Sequence, residues 1–128
     1  KIVDFLYEHL DQYRDELPDI LKAVNYSLKE RESFGGFILV ASEEDTIVSA
    51  VVINKTGMDG YIPENILVFI ATHADYRGKG VGKMMMEKTI LHTEGDIALH
   101  VEHDNPARFL YEKYGFTNKY LEMRHIKS

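Results

Sequence analysis

The 128-residue chain contains no cysteine. A disulfide framework, thiolate chemistry and a cysteine-ligated zinc site are therefore excluded. No apolar run approaches the ~20 residues that span a bilayer, and no signal-peptide pattern opens the chain. Proline is scarce: Pro18, Pro63 and Pro106 are the three. Positive charge is in deficit, with 15 Lys and Arg against 21 Asp and Glu and a formal charge of −6. A general nucleic-acid binder needs a basic face for phosphates, so nucleic acid is not expected as a partner. A soluble cytoplasmic protein with no membrane partner is the expectation that remains. Hydrophobic residues at 45% and charged residues at 28% suffice for one real core. The length fits one domain, read here as residues 1–128. Because Lys1 rather than Met opens the chain, it is expected to begin inside a longer protein.

The acidic excess is uneven. Residues 1–64 hold 6 basic and 13 acidic side chains, whereas residues 65–128 hold 9 and 8. Such asymmetry suits a cationic ligand near the first half and an anionic one near the second, although solvated acidic helix faces would look the same.

From Ile2 to Arg14, apolar Ile2, Val3, Phe5, Leu6 and Leu10 share a helical side. Pro18 suits the first turn of a second helix, followed at helical spacing by Ile20, Leu21, Val24 and Leu28. Gly35-Gly36 interrupts the pattern. The runs 37–41 and 46–53 are aliphatic and β-branched across a short acidic turn, which predicts an antiparallel hairpin. Residues 66–72 are apolar throughout and read as a central strand buried on both faces. A helix is predicted over 79–93 with Val81, Met84, Met85 and Ile90 as its apolar stripe. A strand over 96–102, a short helix over 105–114 and a last strand over about 119–126 complete a mixed α/β (α+β) sheet covered by helices.

The segment Arg77-Gly78-Lys79-Gly80-Val81-Gly82-Lys83 lies between the buried strand and a helix. A helix start leaves N–H groups unpaired and its dipole favours anions. Glycines let a phosphate approach those groups with no Cβ in the way, and Arg77, Lys79 and Lys83 add positive charge. A Walker loop fails because Met84 follows Gly82-Lys83 and Arg77 stands where its first glycine belongs. The Rossmann spacing fails because Lys83 occupies its third glycine position. Arg-x-x-Gly-x-Gly over Arg77, Gly80 and Gly82 is the pattern met. Further on, Asn105 suits a helix cap, Pro106 its first position and Gly115 its end.

Together, residues 73–82 and 105–116 resemble the coenzyme A motif and the closing strand–helix motif of the GNAT superfamily of acyl-CoA N-acyltransferases. The resemblance covers roughly residues 66–116, and the preceding order of two helices and a hairpin also matches. Two departures stand out: no strand is evident before Ile2, where the family has its first, and Ala74 replaces a common proline. The resemblance implies a mostly antiparallel sheet whose central strands splay to admit pantetheine, flanked by helices on both faces. It implies that backbone around Ala71 and Thr72 pairs with pantetheine, and that a backbone N–H of the 70–72 strand polarises the thioester carbonyl. Arg77 belongs to the same motif, and the amides of Gly78, Lys79, Gly80, Val81, Gly82 and Lys83 would hold the pyrophosphate. Asn105 would contact the pantetheine arm, and Tyr111 would protonate the departing thiolate.

For the base that deprotonates the amine, the order is His100, then Glu64, then Glu102. Imidazole suits proton transfer near neutrality, and His100 and Glu102 would share a strand face. His103 would point to the other face, so the local His and acid cluster is not read as a metal site, and no metal is expected. The reading is an acetyl-CoA-dependent N-acetyltransferase in which the amine of a small molecule or peptide attacks the thioester directly. The acidic first half favours a cationic acceptor. A non-catalytic acyl-CoA sensor or regulatory subunit is the alternative. Because many relatives dimerise through sheet edges or last strands, a homodimer is expected.

Overall fold

The computed structural model describes residues 1–10 and 15–127. Helix α1 covers Ile2–His9, and its predicted continuation to Arg14 runs into residues 11–14, outside the described ones. Helix α2 covers Leu17–Ser27, with Pro18 in its first turn, where a missing N–H costs nothing. Phe5 and Leu6 of α1 and Ile20 and Val24 of α2 are buried at helical spacing. Leu21 and Leu28, predicted on the same face, are about half exposed.

The hairpin forms as expected. Strand β1 (Gly36–Glu43) pairs antiparallel with β2 (Thr46–Lys55) across a two-residue turn, Glu44-Asp45. Gly36 is required at its position, since a Cβ there would lie 1.9 Å from the Ile53 carbonyl oxygen. Strand β3 (Asn65–Thr72) runs antiparallel to β2, and β4 (Ile97–Leu99) runs parallel to β3, giving the order β1-β2-β3-β4.

One irregularity shapes everything downstream. Val52 pairs with Phe69 and Ile53 with Leu67, so Val68 is an extra residue on β3. Side chains normally alternate between faces, but here Leu67 packs with Met85 and Met86 on one face while Val68 and Phe69 both join Phe5 and Ile20 on the other. The two cores thus sit on opposite faces: α1 and α2 against Ala50, Val52, Phe69 and Ala71, and the later helices against Val51, Ile53 and Leu67. Past the bulge β3 leaves β4, whose pairing stops at Leu67–Leu99. The central strands are therefore splayed, and the predicted fold class holds.

Several predicted details do not hold. The strand expected over 96–102 forms only over Ile97–Leu99, because β3 diverges beyond Leu67. Residues 66–72 are not buried throughout: Ile66 is 37% exposed, and Val68 and Ile70 are half-buried where β3 lacks a neighbour. Helix α3 (Val81–His92) buries Met85, Met86 and Thr89, whereas Met84 and Ile90 of the predicted stripe lie outward. Thr89 is accommodated because its hydroxyl donates to the Met85 carbonyl at 2.7 Å, so no polar group is left orphaned. Helix α4 spans Ala107–Lys113, shorter than predicted. The last strand over 119–126 is absent: a three-residue β4 offers too short an edge for its ladder. Tyr120, Leu121, Met123 and Ile126 are consequently 79–89% exposed.

Candidate active site

The splay leaves one edge of β3 open, and backbone direction identifies which groups line it. Along a strand, consecutive residues direct their N–H and C=O to opposite edges. The Asn65 N–H donates to the Asp96 carbonyl, on the β4 side. After the bulge the order is reversed: the His73 N–H donates to the Val48 carbonyl, and the Ala71 carbonyl accepts the buried Ser49 hydroxyl at 2.8 Å, both on the β2 side. The open edge is therefore carried by Ile70 and Thr72. Thr72 thus lies on this edge and Ala71 faces β2, with Ile70 carrying the other open groups. The sequence could not single out Ile70 within the 70–72 strand, because the one-residue shift leaves no trace in an all-apolar run.

Thr72 leads into the glycine-rich turn through a short 3-10 segment, Ala74–Tyr76. Gly78 and Gly80 have φ of +79° and +80°, a region that L side chains rarely adopt, and a Cβ on either would meet nothing within 4 Å. Gly80 caps α3, whose first helical hydrogen bond runs from the Met84 N–H to the Gly80 carbonyl at 3.1 Å. The N–H groups of Val81, Gly82 and Lys83 precede it in the first turn, where a helix supplies no partner. At Gly82 a Cβ would only touch Leu110 at 3.6 Å, so this glycine sits against α4 rather than under open space. Lys79 and Lys83 are exposed beside the turn. Arg77 is engaged differently: its Nε donates to the Thr72 carbonyl at 3.1 Å and its Nη2 to the His9 carbonyl at 2.7 Å. It ties the strand end to α1.

Tyr111 of α4 is buried among the residues of the α3 face, edge-on to Phe116 at 5.9 Å. Burial pushes its phenol up to about 12, so it holds its proton at neutral pH. No described residue hydrogen-bonds its hydroxyl, yet no described side-chain polar atom is both sealed off and unpartnered. The hydroxyl is thus not fully sealed and is a proton donor without an acceptor among the described residues. Asn105 caps α4 through Oδ1, which accepts the Ala107 N–H at 2.9 Å.

The three candidate bases are separated. His100 is exposed immediately beyond β4, and Glu102 is exposed in the turn before α4. Because the strand ends at Leu99, the shared-face argument for these two no longer applies. Glu64 lies at the opposite end of β3, about 25 Å from Thr72 at ~3.3 Å per residue. Its Oε1 accepts the Asp96 N–H at 2.8 Å, and backbone hydrogen bonds, that from Asp96 foremost, hold its carboxyl below the usual range. Buried Asn65, also missed, donates through Nδ2 to the Glu94 and Asp96 carbonyls at 2.7 and 3.2 Å. Together Glu64 and Asn65 fix where β4 starts.

Open glycine space, unpaired first-turn amides, two exposed lysines and an unpaired strand edge fit an elongated thioester carrying a pyrophosphate. Over a 60-residue stretch the chain is 37% identical to the mouse cysteine-rich protein 2-binding protein, a match covering 45% of this chain and 8% of that protein. The chain thus spans only a small part of that relative's length. The fold is shared with the Escherichia coli ribosomal-protein-S18-alanine N-acetyltransferase (TM-score 0.67, 15% identity, 88% of this chain and 68% of that one). It is shared also with the NatC complex bound to Gag peptide and CoA (TM-score 0.66, 18% identity, 91% and 74%). Residues 34–118, more than half of the chain, match the acetyltransferase (GNAT) domain. The splayed sheet and the glycine-opened helix are thus the framework of an acetyltransferase, and the chain belongs to the GNAT family.

Proposed function

We propose that the chain transfers an acetyl group from acetyl-CoA to a primary amine of a small molecule or peptide. The observation that carries this reading is the open β3 edge running into a glycine turn where a Cβ on Gly78 or Gly80 would meet nothing within 4 Å and where the first-turn N–H groups have no helical partner. Acetyl-CoA supplies the activated acyl group. The Ile70 and Thr72 backbone would align its pantetheine, with an N–H of this edge directed at the thioester oxygen as a preorganised donor. The amides from Gly78 to Lys83 would take the pyrophosphate, with Lys79 and Lys83 adding charge. Asn105, while capping α4, would present its amide to the pantetheine arm. Tyr111 holds a proton for the departing sulfur, and its raised pKa keeps that proton available. His100 is the base of choice, because it is exposed beside the splay and Glu64 is committed to Asp96.

Part of the acidic excess of the first half lies on the surface of the α1–α2 layer, where Asp4, Glu8, Glu16 and Asp19 are all exposed. That field favours a cationic acceptor. The exposed apolar segment 120–126 supports a homodimer in which a second copy covers it. A cytoplasmic setting is part of this reading; among the described residues no helix is long and apolar enough to cross a membrane.

The test is release of coenzyme A from acetyl-CoA across a panel of polyamines, amino sugars and peptides, with thermal shifts by acetyl-CoA, ATP and NAD alongside. Stabilisation by acetyl-CoA and turnover that falls in His100→Gln are expected. Stabilisation by ATP or NAD alone overturns the reading.

A further inference from the structure

His9 is a buried histidine beside the first core that no catalytic role uses. It sits in the last turn of α1, 7% exposed, in a position that a leucine would fill if packing were its whole purpose. Its Nδ1 accepts the Ala74 N–H at 3.2 Å, and its main-chain carbonyl accepts the Arg77 guanidinium at 2.7 Å. One residue of α1 therefore holds both ends of the segment that enters the glycine turn. Its ring also stacks at 4.3 Å on His73, which meets Tyr76 edge-on at 5.5 Å, and Lys79 Nζ lies 5.4 Å from the centre of the Tyr76 ring. Other restraints on this segment include the His73 N–H to the Val48 carbonyl at 2.7 Å, the Arg77 Nε to the Thr72 carbonyl at 3.1 Å, the Tyr76 N–H to the His73 carbonyl at 2.9 Å and the Asp75 N–H to His73 Nδ1 at 3.1 Å, none of which fixes the Ala74 N–H. A Cβ on Gly78 or Gly80 would meet nothing within 4 Å, so no packing holds the turn from that side.

We propose that His9 is a positioning residue for the coenzyme-binding turn, acting from the opposite helical layer. The inference rests on the acyl-CoA reading of that turn. Ala74 stands where the family commonly has proline. A proline would fix its own φ and carry no N–H, whereas Ala74 leaves a donor to satisfy and a dihedral to hold, and His9 does both. Holding the turn in its binding shape lowers the ordering cost when a ligand arrives.

The experiment measures coenzyme A binding by calorimetry, with denaturant midpoints, on the wild-type chain, His9→Leu, His9→Asn and the pair His9→Leu/Ala74→Pro. His9→Leu leaves the Ala74 amide unpaired and is expected to weaken binding about tenfold. His9→Asn keeps an acceptor near the Nδ1 position and is expected to recover most of the affinity. The double variant is also expected to recover it, since His73 at ψ 135° already has the backbone that precedes a proline. In turnover, the KM for acetyl-CoA rises while that for the amine stays constant. Binding by His9→Leu within twofold of wild type overturns the inference, as does a double variant no tighter than His9→Leu. Should His9→Leu not fold, His9→Asn against Ala74→Pro alone decides it: a loss in either beyond threefold overturns it. Failure of the wild-type chain to bind coenzyme A refutes the acyl-CoA reading itself.

Discussion

Replacing Tyr111 by phenylalanine removes one oxygen and leaves the ring in place against Val51, Leu67, Met85 and Met86. The lost hydroxyl has no hydrogen-bond partner among the described residues, so stability at neutral pH should change by less than about 1 kcal/mol. Two larger effects follow from its burial. The phenol is raised from 10.0 to about 12, so between these values the unfolded chain has lost a proton that the folded chain retains. Stability is therefore level below pH 10 and falls as pH rises to about 12, by roughly 3 kcal/mol at ~1.4 kcal/mol per pH unit. Tyr111→Phe lacks this loss. Denaturant melts of both proteins across pH 9–12 isolate the contribution of Tyr111 as a difference curve. In turnover, removing a positioned general acid should lower kcat about a hundredfold, with coenzyme A affinity unchanged. A variant that transfers acetyl groups at the wild-type rate refutes the acid role. A flat difference curve between pH 10 and 12 refutes the burial argument.

Gly80→Ala should cost about 1–2 kcal/mol through its left-handed backbone and weaken coenzyme A binding, read by thermal melts and calorimetry. Gly36→Ala should cost about 3 kcal/mol or more, because its Cβ collides with the Ile53 carbonyl rather than meeting open space. For Glu64, the depressed carboxyl contributes stability above its unfolded pKa that is lost as pH falls through the folded one. Acid melts of Glu64→Gln should accordingly be less pH-dependent than wild type below about pH 4.5. Leu121→Asp/Ile126→Asp should shift a wild-type dimer to monomer in sedimentation equilibrium, and a monomeric wild-type chain refutes the dimer.

Elements with a strong local signal were legible in the sequence. The hairpin announced itself by aliphatic runs and a short acidic turn, and α3 by the glycine start. The glycine turn was legible as chemistry because an anion cradle needs a small set of residues at fixed spacing. What escaped depended on partners distant in the chain. A strand over 119–126 has the right pattern, but pattern cannot supply the edge that β4 is too short to offer. Ile70 rather than Ala71 lines the open edge because of pairing with β2, and His9 gains its role only where α1 meets a turn 65 residues later. The apolar stripe of α3 slipped to Met85, Met86 and Thr89 because a threonine that satisfies its own hydroxyl can be buried as a leucine can.

The extra residue at Val68 also governs how this chain can change. Both halves of β3 alternate between the two helical layers, and Val68 is the one residue that breaks the alternation, so the strand has two phases joined at one point. Deleting Val68 would leave Phe69 opposite Val52 and facing α1, in ordinary alternation with Leu67, and would remove the irregularity at which β3 turns away from its parallel neighbour. Substitutions elsewhere along the strand alter either packing or the opening. A deletion at this one position alters the opening while both packed faces stay in phase, whereas a deletion elsewhere in the strand turns side chains toward the wrong layer.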